Sequence, residues 1–277
     1  MILPPIGFGC SPFRPGGGRV DLEDAVRAAA AAGYRLFDLA ELYGNERAAG
    51  RALRPFPRSE LFLVGKVWRT NFRPAALQQA CESSLRRLGV DAFDLYLLHA
   101  PEAWRHQGPL GDPEEVGWEE FERRALPGEA DDVPLAETWE AMRDLARRGL
   151  AGEIGVSNFS PQQIEELSEL PAAHQIACSP YEPNTDTVAW CRQRDIRLMA
   201  HSPLSAAGLL AEPLLADLAS RHSASPAQIV LRWIVQKGLV PLPSSTDPGH
   251  IAENLRALDF VLDDASMAAV DSLDRSR

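Results

Sequence analysis

GYRLFDLAELYGNE, residues 33–46, places Asp38 at the end of an apolar run and Tyr43 five residues later, on the loop that follows. Two further apolar runs stop in the same way: LFLVGK, 61–66, at Lys66, and DLYLLH, 94–99, at His99. A hydrophobic strand that ends in an ionisable group is costly unless the group sits at the strand's open end with partners. Three strands doing this, with a tyrosine among them, describe a proton-donating site at one end of a parallel barrel.

The rest of the chain supports that architecture. Short apolar runs at 5–9, 35–39, 61–67, 95–100, 153–157, 175–179, 197–201 and 240–244 alternate with amphipathic stretches such as 22–33, 74–89 and 134–149. Strands alternating with helices imply βα units and a parallel sheet. Each of those three helical stretches ends in Gly, which tolerates the left-handed conformation just past a helix. Ser160 followed by Pro161 reads as an N-cap and first helical residue over 161–169. The chain has 277 residues, close to the roughly 250 of a (β/α)8 barrel. Eight strands in this length favour a single-domain α/β fold of that TIM-barrel kind over an open doubly wound sheet.

Composition narrows the function classes. Net charge is −11, with no run of Lys and Arg, so nucleic acid and membrane are not expected partners. No stretch approaches the roughly 20 apolar residues that span a bilayer, and MILPPIGFGCSPF has no leader pattern. Cys10, Cys81, Cys178 and Cys191 lack metal-site spacing and read as reduced cytoplasmic thiols; no metal is expected. GFG at 7–9 is too short for a dinucleotide fingerprint. RPGGGRV, 14–20, reads as a turn. No nucleophile elbow marks a hydrolase.

Two regions are irregular. Residues 101–133 form a long acidic loop after the fourth strand, rich in Gly and Pro, and are read as a lid or a surface insertion. The stretch 212–237 reads as two helices in place of one, so extra helices are expected near the C-terminus.

Asp38, Tyr43, Lys66 and His99 in this order resemble the catalytic tetrad of the aldo-keto reductases. The resemblance spans nearly the whole chain and implies NAD(P)H-dependent reduction of aldehydes or ketones. It makes Tyr43 the general acid, Lys66 the ammonium that favours its phenolate, Asp38 the group orienting Lys66, and His99 the donor beside the carbonyl oxygen. Histidine at that position, where double-bond reductases of the family carry Glu, points to carbonyl reduction. Ser157, Asn158 and Gln175 match the family's contacts to the nicotinamide carboxamide. His201, with Ser202 and Leu204 beside it, stands where the family usually stacks a tyrosine on the ring.

The stretch PLPSSTDPGHIAEN, 241–254, departs from the family's NADPH-selective pattern. Ser244 and His250 replace the Lys and Arg that grip the 2′-phosphate, which weakens two charge-assisted contacts. Ser245, Thr246 and a helix starting near Pro248 remain as donors, and Glu253 with Asn254 match the adenine contacts. The expected cofactor is NADP(H), with less preference over NAD(H) than is usual. Trp68, and Ala100 in place of the usual tryptophan after the catalytic His, imply a wide pocket for varied small carbonyls. The chain stops at DSLDRSR, soon after its last helix, which also implies an open site. A monomer or weak oligomer is expected. The rivals are a reductase-like nucleotide-binding regulatory subunit with little turnover, and a barrel isomerase or aldolase using Lys66 as a Schiff base. The second would need Lys66 to be free and uncharged, against Asp38.

Overall fold

Successive side chains of a strand point to opposite faces, so a strand closed into a barrel sends every second residue into the lumen. A computed structural model describes residues 3–12, 20–126 and 128–276 of the chain. Eight strands follow one another around one sheet in sequence order: β1 (Gly7–Gly9), β2 (Leu36–Asp38), β3 (Phe62–Val67), β4 (Phe93–Leu98), β5 (Ala151–Ser157), β6 (Ala173–Ala177), β7 (Arg197–His201) and β8 (Leu239–Leu242). Every neighbouring pair is parallel. The Gly9 N–H donates to the Pro243 carbonyl at 2.9 Å and ties β1 to the exit of β8. The fold is the nearly closed (β/α)8 barrel that the strand and helix pattern implies.

The lumen is packed by Leu36, Phe62, Val64, Leu95, Leu97 and Leu242, among others. Gly7 has to be small: a Cβ there would lie 2.3 Å from Leu36 Cδ2 and 2.6 Å from Leu242 Cδ2. Two residues further along each inward row the apolar pattern stops. Leu36 leads to Asp38, Val64 to Lys66, Leu97 to His99, Met199 to His201 and Leu242 to Ser244. The polar residues therefore form a ring at the C-terminal mouth, where barrel enzymes carry their chemistry.

Two strands, β4 and β6, begin and end two residues earlier than predicted. β4 begins at Phe93 and ends at Leu98, leaving His99 just beyond it. Asp94 is accommodated within β4 because its carboxylate accepts from Arg58 and from the Leu63 N–H, at 2.8 and 2.7 Å. β6 starts two residues earlier than predicted because Ala173 pairs with Gly155 on one side and Arg197 on the other.

Helices Glu23–Ala32, Pro74–Leu88 and Leu135–Arg147 lie where the amphipathic stretches predict. Ser160 and Gln163 form a reciprocal capping box that starts helix Pro161–Glu165. The 212–237 stretch divides into Pro213–His222 and Pro226–Gln236. Ser223 takes a left-handed conformation there, and Ser225 opens a second capping box.

The segment 101–133 carries structure of its own. Helices Pro113–Val116 and Trp118–Ala125 meet at Gly117, whose φ of +81° suits glycine. Leu110, Phe121 and Ala125 pack on Trp68, and Trp104 bridges to Ala130. Arg47 pairs with Asp112 and Glu115, and Arg51 with Glu114 at 3.1 Å, so helix Glu46–Leu53 holds the insertion beside the mouth. The glycine-rich run expected to turn at 14–20 lies outside the described residues, apart from Val20.

Candidate active site

Asp38, Lys66 and Tyr43 come together at the mouth of β2 and β3. Lys66 Nζ has three hydrogens and three acceptors: Asp38 Oδ1 at 2.7 Å, the Leu39 carbonyl at 3.1 Å and Tyr43 Oη at 3.2 Å. The lysine is 1% exposed, so these partners are what make a buried ammonium tolerable. Burial alone would pull its pKa down, but Asp38 and Tyr43 outweigh burial and leave it raised. A Schiff-base lysine has to be free and neutral, so this geometry speaks against the aldolase alternative. Burial raises the Tyr43 phenol and Lys66 opposes that rise. The net direction is upward, so Tyr43 holds its proton throughout the neutral range.

His99 faces this group. Its ring centroid is 5.8 Å from Tyr43 and 5.0 Å from Trp68, edge-on to both. Burial, then the positive charge of Lys66, holds its pKa well below the usual value, so the imidazole is neutral at pH 7. A neutral imidazole beside a phenol can donate a hydrogen bond without competing as the stronger acid. Trp68 is fixed at its far end, where Nε1 donates to the Ala125 carbonyl at 2.8 Å.

A cavity of about 340 Å³ opens on Asp38, Tyr43 and His99 and runs toward Ser157, Asn158, Gln175, His201, Ser202, Leu204 and Ser244. Asn158 adopts a left-handed conformation with φ 62°. Its amide nitrogen donates to the His99 carbonyl at 3.0 Å and to Ser157 Oγ at 3.1 Å, and its oxygen lies 2.8 Å from His201 Nε2. An amide oxygen only accepts, so the His201 proton sits on Nε2 and Nδ1 accepts from the Ser202 hydroxyl at 3.1 Å. Burial pushes the His201 pKa down to about 4, which keeps this ring neutral as well. Ser244 Oγ is buried without a partner. Flat neutral rings, amide groups and an unsatisfied hydroxyl suit a nicotinamide-bearing dinucleotide.

Residues 5–275 match the model of the aldo/keto reductase family. The chain belongs to that family. It is 34% identical to aldo-keto reductase family 1 member A1 of Rattus norvegicus, over 99% of this chain and 87% of the relative. The member A1-A protein of Danio rerio is 32% identical over the same shares. Among solved structures, the aldose reductase of Schistosoma japonicum superposes with a TM-score of 0.87 at 32% identity, covering 99% of this chain and 90% of that one. The aldose reductase of Giardia lamblia gives 0.85 at 28% identity, covering 98% and 93%. This aldo-keto reductase is thus a nicotinamide-dependent enzyme that acts on small carbonyl compounds.

Several residues of the reductase sit differently from their sequence expectation. Gln175 lines the cavity, yet its amide nitrogen donates to Asp38 Oδ1 at 2.7 Å, which makes it a second partner of the buried carboxylate. Ser245, Thr246, His250, Glu253 and Asn254 do not line the cavity; they lie beyond Ser244, along the approach to and on helix Pro248–Leu255. The N-terminus of that helix, expected to be open to an anion, is capped by Asp247, whose Oδ1 accepts the His250 N–H at 2.9 Å. That bond holds the Asp247 carboxyl below its usual range, so a negative charge stands at the helix start. An acidic residue directly before Pro248 is the sequence signal that marks this cap. Ala100 is 2% exposed and does not line the cavity, whereas Trp104 sets a second indole 5.5 Å from Trp68. Among the described residues no cluster of metal-binding side chains occurs and no helix is long and apolar enough to cross a membrane.

Proposed function

We propose that this aldo-keto reductase reduces aldehydes or ketones to alcohols with Tyr43 as the proton donor. The observation that carries the reading is the Asp38–Lys66–Tyr43 chain of contacts, at 2.7 and 3.2 Å, opening on the cavity at the strand mouths. A nicotinamide cofactor held in the cavity would supply the hydride for the carbonyl carbon. Negative charge then grows on the carbonyl oxygen, and Tyr43 transfers its phenolic proton there to complete the alcohol. Lys66 stabilises the phenolate left behind, and Asp38 with Gln175 keeps Lys66 in place. His99, neutral and edge-on to Tyr43, donates to the same oxygen and orients the substrate.

Ser157 and Asn158 would hold the carboxamide of the cofactor, with Gln175 shared between it and Asp38. His201 would lie against the ring, and Ser202, Leu204 and Ser244 would continue the cradle. Ser245, Thr246 and His250 would serve the adenosine phosphate, and Glu253 with Asn254 the adenine. With Ser244 and His250 in place of longer cations and Asp247 at the helix start, NADP(H) binds with a small margin over NAD(H). The test is oxidation of NADPH and of NADH at 340 nm with methylglyoxal or 4-nitrobenzaldehyde, wild type beside Tyr43→Phe. Loss of turnover by about a hundredfold to ten-thousandfold, with nucleotide affinity kept, is the expected result. A Tyr43→Phe enzyme with wild-type turnover overturns the assignment.

A further inference from the structure

Glu41 is a buried carboxylate that the chemistry above leaves unused. It lies on the turn Glu41–Tyr43, two residues before the tyrosine, and is 2% exposed. Its Oε2 accepts the Trp68 N–H at 3.1 Å. The Asn71 amide donates to both carboxylate oxygens, at 2.8 and 3.0 Å. These bonds tie the turn that presents Tyr43 to the segment leaving β3 just after Lys66. The Trp68 ring in turn stands 5.0 Å from His99, so the backbone that Glu41 holds also places the indole beside that imidazole.

The surroundings of Glu41 contain more acid than base. Arg87 and Cys81 face it from helix Pro74–Leu88, Glu46 from helix Glu46–Leu53 and Tyr96 from β4. Arg87 is already bonded to Glu46 at 2.6 Å, so one guanidinium serves two buried carboxylates. Burial pushes the Glu41 carboxyl up to about 7, with Arg87 and Asn71 resisting. Its two forms differ in what they can hold. The carboxylate accepts at both oxygens, whereas the protonated acid turns one oxygen into a donor and loses an acceptor for Asn71.

We propose that Glu41 is a positioning residue for carbonyl binding: its carboxylate, by accepting from Asn71 at both oxygens and from the Trp68 N–H, fixes the segment that sets Trp68 beside His99, so that the ionised form binds substrate more tightly than the protonated form, which has one acceptor fewer for Asn71. The proposal rests on the Tyr43-centred reading of the site. Glu41→Gln retains the shape and an oxygen for the Trp68 N–H, but it cannot ionise and offers Asn71 one acceptor where the carboxylate offers two. In wild type, KM for the carbonyl falls about threefold to tenfold as pH rises from about 6 to about 8, the worth of one hydrogen bond. In Glu41→Gln, KM stays at its acid-side value across that range, and kcat changes less than KM. A role in packing alone would shift the melting temperature and leave the two KM curves parallel, and that outcome overturns the proposal.

A second measurement needs no turnover. The folded protein keeps the Glu41 proton to a higher pH than the unfolded chain, where a glutamate titrates near 4.5. The associated stability is present below that pH and is lost as pH rises toward about 7. The melting temperature of Glu41→Gln therefore gains on that of wild type through this window, and a constant difference also overturns the proposal. If Tyr43→Phe retains turnover, the acid assignment fails separately, while the two KM curves still decide the role of Glu41.

Discussion

The β2–β4 side of the mouth and the β8 arm handle charge in opposite ways. On the first, Lys66 is 1% exposed and every ammonium hydrogen has an acceptor within 3.2 Å. On the second, Ser244 Oγ is buried without a partner, and the Asp247 carboxylate caps a helix in the open. A set of charges that must act in the transition state gains from being fixed beforehand, because no reorganisation is then needed during reaction. An arm that grips a soluble cofactor and lets it go needs no such pre-assembly. The difference predicts where substitutions will be costly.

Lys66→Met should have the largest effect. It leaves Asp38 buried beside an apolar side chain, a loss of about 3–5 kcal/mol, and should lower the melting temperature by about 10 °C. Turnover should fall with it, and thermal denaturation beside single-turnover assays separates the two losses. The double variant Asp38→Asn, Lys66→Met should regain part of the stability and none of the activity, because the unpaired charge is gone. Equal stability of wild type and Lys66→Met would erase the contrast between the two regions.

Asp247→Ala should act weakly and in the other direction. Loss of the cap should lower the melting temperature slightly, yet removal of a negative charge near the phosphate arm should raise the NADPH-to-NADH ratio of kcat/KM by about threefold, less at high salt. Titration of both nucleotides by fluorescence quenching checks the affinity part. An unchanged ratio would mean that Asp247 does not face the phosphate.

The barrel and its charged ring were legible because the same period of two that buries Leu36, Val64 and Leu97 also delivers Asp38, Lys66 and His99 to one end. The partners of those groups were less legible. Gln175 reaches Asp38 across 137 residues of chain, and no local pattern encodes that contact. Glu41 reads as an ordinary polar residue of a turn until Trp68 and Asn71 are seen to surround it. Segment 101–133 looked structureless because Gly and Pro mask two short helices, whose apolar residues Val116, Phe121 and Ala125 gather with Trp68, a residue distant in sequence.

The pH dependence of single-turnover NADPH oxidation at saturating carbonyl most directly tests whether Tyr43 gives the proton. Burial raises the Tyr43 phenol and lowers His99 well below its ordinary value, so neither group changes charge near neutrality. The rate should be flat from about pH 6 to pH 9 and decline only where a phenol above its usual pKa of about 10 begins to ionise. A rate that falls instead through an inflection near 6.5, and does so equally in Tyr43→Phe, would make an imidazole the acid and contradict the assignment.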